Sequence, residues 1–142
     1  MQNDPILESS FTYKGYKCCV LFMPIGHRCG YVLVPHWHSQ YGKNYRDIPI
    51  KCHGGLTYSS HFLMGQEFPS WWIGFDCAHA GDIADKESQI KYYGENEQNP
   101  FFSMLTFMLE GYDEFGTIKT LDFCEQECRN IVDQLIEMEN RE

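Results

Sequence analysis

The chain has 142 residues, enough for one domain and too few for two independent cores. Hydrophobic residues at 43% and charged residues at 22% exclude a disordered chain, and no apolar run approaches the roughly 20 residues a membrane helix needs. A net charge of −9, with eleven scattered Lys and Arg, argues against a direct grip on a phosphate backbone.

In chain order, Phe11–Lys14 and Tyr16–Met23 flank Gly15 and read as a hairpin or bent strand pair. The second run is almost continuously apolar after Lys17, as in a buried strand, and Pro24 and Gly26 break it. Gly30–Val34 is a third strand, stopped by Pro35. His36–Asp47 is polar without a period and reads as a loop. Leu56–Ser60 and Trp71–Asp76 are two further strands around a loop containing Gly65 and Pro69. The pattern weakens over 83–116, a less regular stretch with the character of an insertion. Within it Glu95–Pro100 reads as a surface turn and Pro100 opens a short helix through Glu110.

The clearest element comes last. Leu121, Cys124, Cys128, Ile131, Leu135 and Met138 recur at steps of three and four, the stripe of an amphipathic helix over 120–140, with Thr120 as N-cap. Strands in sequence followed by a terminal helix predict an α+β fold. A single globular domain, 1–142, is expected, with an antiparallel sheet of about five strands packed by that helix.

Seven cysteines behind a polar stretch, Met1–Ser10, suggest a cytoplasmic chain with reduced thiols. No CxxC pair occurs, which argues against a structural zinc site. Cys124 and Cys128 fall on the buried helix stripe and read as core thiols. Cys29 would be nucleophilic only if exposed beside Arg28 or a histidine.

Five of the six histidines lie between His36 and His79. Cys52-His53-Gly54-Gly55-Leu56-Thr57-Tyr58 sets two glycines before a strand, where positive φ lets backbone N–H groups cradle an anion and His53 adds a proton donor or metal ligand. The plainer alternative is a tight turn with His53 bonded to a carbonyl. In Trp71–Asp82 a hydrophobic strand runs out into Asp76, His79 and Asp82, a spacing that suits hydrogen-bonded partners or a shared metal. If the strand continued through His79, Asp76 and His79 would project from opposite faces and could not be partners. The plainer reading of Asp82 is a turn cap. His36 and His38 form an i, i+2 pair that in a polar loop is more often simply exposed.

The stretches HGGLTYS and WWIGFDCAHAGD resemble an uncharacterised family of small bacteriophage and prophage proteins. So do GHRCGYV at Gly26–Val32 and an H-x-x-YGK-x-Y element at His38, Tyr41, Gly42, Lys43 and Tyr45. The likeness spans about half of the chain. It implies a phage-borne accessory protein acting in the host cytoplasm, implies no activity, and favours His38 over His36.

Two functions are expected from these residues. In the first, a His/Asp/Gly-rich site binds a small anionic, nucleotide-like ligand and, in its stronger form, hydrolyses it by His/Asp or metal-assisted chemistry. His53, His79 and Asp76 are its catalytic candidates. His38, Tyr41, Gly54, Gly55, Thr57, Trp72 and Asp82 are its ligand contacts. His53, His79 and Asp82 are the candidate ligands for a divalent metal. The alternative is an acidic protein-interaction inhibitor of a host defence complex, resting on charge and aromatic content.

Overall fold

The computed structural model describes residues 4–63, 66–94 and 116–141. Its main sheet is fully antiparallel. Strands β1 (Ile6–Tyr13), β2 (Tyr16–Phe22), β3 (Arg28–Val34), β4 (Tyr58–Leu63) and β5 (Gln66–Asp76) stand in the order β1-β2-β3-β5-β4. Lys14 (φ 49°) and Gly15 (φ 86°) join Tyr13 to its partner Tyr16, a two-residue turn whose left-handed pair matches strand twist. The expected α+β fold is therefore present. Among the described residues no helix is long and apolar enough to cross a membrane.

The terminal helix, which we call α2 (Leu121–Asn140), starts where expected: Thr120 Oγ1 accepts from Phe123 N at 3.1 Å. Cys124, Cys128, Ile131, Val132 and Leu135 are buried against Cys18, Val20, Val32, Val34, Ile73 and Phe75. Each fully buried aliphatic side chain contributes about 1.5–3 kcal/mol, so this face anchors the domain. A second cluster, Cys19, Leu21, Cys29, Tyr31, Leu63 and Trp72, lies on the sheet's other face.

Two glycines fix how β3 meets β5. Gly30 pairs with Phe75 and Tyr31 with Gly74. A Cβ on Gly30 would stand 2.4 Å from the Phe75 ring, and one on Gly74 would stand 2.5 Å from the Tyr31 ring. Each ring lies across the glycine opposite it, one on each face of the sheet.

The expected loop around Gly65 and Pro69 is much shorter, because β5 starts at Gln66 and takes in Pro69. The proline is tolerated where the β4–β5 register shifts: Ser60 pairs with Trp72 but Phe62 with Glu67, and β3 reaches only to Trp71. A bulge there asks no ladder hydrogen bond of a residue without an N–H. The fourth strand begins at Tyr58, two residues later than expected.

Within 83–116 the described part is more regular than the pattern suggested. Helix α1 (Lys86–Tyr93) is capped by Asp85, whose side chain accepts from Ser88 N at 3.1 Å, and it ends at Gly94. Strands β6 (Asp82–Ile83) and β7 (Thr117–Ile118) pair in parallel. The expected turn over Glu95–Pro100 and helix from Pro100 to Glu110 lie outside the described residues.

Two polar arrangements join these elements. Buried Arg28 is held by Glu8 at 2.6 Å and Asp85 at 3.0 Å, donates to Lys119 O at 3.1 Å, and stacks over Phe22. The segment from His38 to His53, which includes a 3-10 turn at Tyr45–Asp47, runs back along α2. His38 Nε2 bonds Leu135 O at 2.8 Å. Lys51 exchanges bonds with Gln134 and Asn130, and His53 N donates to Glu127 Oε1 at 2.8 Å.

Candidate functional site

Asp82 is the centre of the site. Its side chain is 1% exposed, and three donors converge on the carboxylate. His53 Nε2 lies 2.9 Å from both oxygens, His79 N donates to Oδ2 at 3.0 Å, and Lys119 Nζ pairs with Oδ1 at 3.1 Å. Burial alone would raise the Asp82 pKa, but the hydrogen bonds from His53, His79 N–H and Lys119 outweigh it and hold the carboxyl below its ordinary value. The group is ionised at neutral pH. An ionised carboxylate accepts only, so His53 presents Nε2–H to it, and in the neutral ring the lone pair is then on Nδ1. Among the described residues Nδ1 has no hydrogen-bond partner.

Local sequence explains the placement. Gly54 (φ 69°) and Gly55 (φ 79°) turn the chain tightly after His53, with Gly55 N on Cys52 O at 2.9 Å. A Cβ on Gly54 would lie 2.3 Å from His79 Nε2, so only glycine lets this turn lie against that ring. The His53 ring meets Phe123 edge-on at 5.3 Å and His79 edge-on at 5.9 Å. Because β5 ends at Asp76, the chain turns there, with Asp76 Oδ1 accepting from Ala78 N at 3.1 Å. That turn brings His79 Nε2 to 3.1 Å from Asp76 Oδ1, resolving in favour of contact the question the strand pattern left open. Among the described residues the pair lacks hydrogen-bond alignment, and Nε2 is buried without a hydrogen-bond partner.

Four expected site residues thus come together: His53, Asp76, His79 and Asp82, with Gly54 and Gly55 beside them. The metal set His53, His79 and Asp82 does not assemble, because His53 Nε2 and Asp82 are bonded to each other and a lysine ammonium occupies the same carboxylate. Among the described residues no group of three or more His, Cys, Asp or Glu could hold a metal ion.

The other expected contacts lie elsewhere. His38 is buried, its Nδ1 accepting from Gln40 N at 3.0 Å and its Nε2 donating to Leu135 O. Leu135 lies eight residues along α2 from Glu127, about 12 Å. His38 therefore ties loop to helix. Tyr41 packs against the helix-side core and edge-on to His61. Thr57 is exposed, with its N–H on Gly74 O. Trp72 is buried in the far-face cluster, about 13 Å along the strand from Asp76.

Burial pushes Cys29 and Cys52 up to about 12, and the Arg28 guanidinium is taken by Glu8 and Asp85. Cys124 and Cys128 are fully buried, as the helix stripe predicted.

Two residues of the site went unread in the sequence. Lys119 arrives through the β6–β7 pairing of Asp82 with Thr117, and nothing local in Ile118-Lys119-Thr120 signals it. His27 precedes β3 and lies within electrostatic reach of Asp76, Asp82 and His79; among the described residues its buried Nδ1 has no hydrogen-bond partner. Its one signal was membership in the GHRCGYV stretch. No family model, curated protein or solved structure matches this chain.

Proposed function

We propose that the chain is a phage-type accessory protein that binds a small anionic, nucleotide-like ligand at the His53–Asp82 site and hydrolyses it with His53 as general base. The observation that carries this is the ionised, buried Asp82 on His53 Nε2, which fixes the tautomer and leaves Nδ1 to take a proton from water. Lys119 offsets the Asp82 charge beside it, and the left-handed turn at Gly54 and Gly55 lets the backbone come close to His53. The test is a thermal-shift and hydrolysis screen of nucleotides and phosphate esters against the wild type and His53→Gln. A ligand that stabilises the wild type and is turned over only by it supports the reading. A stabilising ligand hydrolysed equally by both removes His53 from the chemistry, and no stabilisation by any ligand removes the site.

The second reading, an acidic inhibitor that docks on a basic host protein, is favoured by Trp37, 61% exposed, on a chain of net charge −9. It predicts a salt-sensitive complex weakened by Trp37→Ala and indifferent to His53→Gln.

A further inference from the structure

Six of the seven cysteines are buried, and two of them meet. Cys77 Sγ and Cys124 Sγ lie 3.6 Å apart, one thiol donating to the other, although 47 residues separate them in the chain. Cys128, one turn further along α2, faces the backbone carbonyls of Cys19 and Tyr31 instead, at 3.8 and 3.9 Å. A disulfide holds its sulfurs about 2.05 Å apart, so this pair has about 1.6 Å left to close.

The two sides of the contact are held differently. Cys77 directly follows β5, and its N–H on Arg28 O at 2.9 Å ties it to the start of β3. Cys124 is in the first turn of α2, where its N–H reaches back to Thr120 O at 3.1 Å, beside the cap bond from Phe123 N to Thr120 Oγ1. Helix ends fray before their middles do, so the side that yields is the helix. In the closed fold both sulfurs are kept from solvent, with Cys77 3% and Cys124 0% exposed. The hydrogen bond to Cys124, and then burial, hold the Cys77 thiol well above its ordinary range, so the closed pair stays protonated and reduced.

We propose that Cys77 and Cys124 are a redox pair: when the first turn of α2 opens, a small-molecule disulfide oxidises them to an intramolecular bond that fastens the helix to the end of β5. The Cys124 thiolate attacks the small disulfide, RSSR, and displaces one RS⁻. The Cys77 thiolate then attacks Cys124 Sγ in the mixed disulfide and displaces the second. The two protons leave with the two released thiolates, so two protein thiols and one RSSR become one protein disulfide and two RSH. The bond crosses the site. On the strand side Cys77 stands between Asp76 and the turn that carries His79 and Asp82. On the helix side Cys124 adjoins Phe123, whose ring meets His53 at 5.3 Å, and precedes by one turn Glu127, which accepts from His53 N. Oxidation therefore holds His53 against Asp82 without altering either residue. The inference needs no ligand and no reaction at that pair, and so stands apart from the acid–base reading.

The test incubates the reduced full-length chain with oxidised glutathione in native buffer, blocks the remaining thiols and maps the peptides by mass spectrometry. A Cys77–Cys124 cross-link is expected as the first intramolecular product. Closing the loop between these residues should raise the Tm by about 6–16 °C over the reduced chain, and the His53 amide should exchange more slowly. Thr120→Ala removes the cap and should speed cross-linking about fivefold. Cys124→Ala should abolish the product and Cys52→Ala should leave it unchanged; the wild-type peptide map decides should a variant fail to fold. The absence of this cross-link overturns the proposal, as does one that forms only in urea, one that leaves the Tm unchanged, or a rate indifferent to Thr120→Ala.

Discussion

Replacing Asp82 tests the core of the site, because the loss can be worked out donor by donor. The carboxylate accepts from His53 Nε2, His79 N and Lys119 Nζ, with its own side chain 1% exposed and that of Lys119 15% exposed. Asp82→Asn keeps the shape but leaves a single acceptor oxygen, turns an N–H₂ group toward at least one donor, and removes the partner of the ammonium. Hydrogen bonds involving a charged group are worth about 1.5–3 kcal/mol each. Losing one of them together with the ion pair should lower stability by about 2–4 kcal/mol. Asp82→Ala takes the acceptor from all three donors, leaving Lys119 Nζ only its bonds to Thr117, and breaking a buried pair from one side costs about 3–5 kcal/mol. At this chain length a loss of 1 kcal/mol shifts the Tm by about 3–4 °C, so the two variants should melt about 6–16 °C and 9–20 °C below wild type. Urea unfolding at pH 7 measures the free energies. Nitrogen-15 spectra of the His53 ring should show a single Nε2–H tautomer in the wild type and a mixture in Asp82→Asn. If both variants unfold within about 0.5 kcal/mol of wild type, the range of an ordinary surface change, the convergence on Asp82 does not hold the site together.

Gly54→Ala should destabilise by more than Gly42→Ala in urea unfolding. Both positions have positive φ and cost about 1–2 kcal/mol of backbone strain, but only Gly54 also meets a ring at 2.3 Å, and Gly42 has nothing within 4 Å. His38→Ala should lower stability by about 2–4 kcal/mol, since it leaves Gln40 N and Leu135 O without their partner. It should leave any ligand affinity at His53 unchanged by calorimetry. The buried Arg28 cluster gives a pH dependence. Burial would raise the Asp85 pKa, yet the Ser88 hydrogen bonds and Arg28 depress it on balance, so its stabilisation is fully present above about pH 3.9 and is lost as pH falls through the folded value. Asp85→Asn, which retains an N-cap, should therefore be weaker than wild type at pH 7, with the gap closing toward pH 2 in acid-unfolding curves.

What could be read from the sequence follows physical range. The 120–140 helix, the Gly15 hairpin and the strand ending at Asp76 are set by local periodicity and turn chemistry, and those features need no partner to be recognised. His53, Asp76, His79 and Asp82 were legible as a group because polar residues that interrupt apolar strands must find one another. Pro69 misled because its tolerance comes from a register shift between two strands, which no single stretch records. Helix α1 was missed because its exposed, weakly amphipathic sequence buries only Gln89, although Asp85 and Gly94 bracket it. Lys119 and His27 reach the site only through pairing with distant strands, and His38 looked like a ligand until both of its ring nitrogens met backbone.

The bonds from Leu135, Gln134, Asn130 and Glu127 to the returning segment mean that His53 moves with α2 more than with the sheet. Its backbone amide is held by a helix side chain and Lys51 just upstream is bonded to the same helix, while the earlier part of the segment is tied to the sheet by Tyr45 N on Ser59 Oγ and Trp71 Nε1 on Lys43 O. In hydrogen exchange the amides of Lys51 and His53 should open together with the middle turns of α2, as one cooperative unit, while the central strands stay closed. A local fraying of one helix would then unseat His53 from Asp82 with β2, β3 and β5 still intact. The His53–Asp82 contact would then be lost at a milder stress than the fold is.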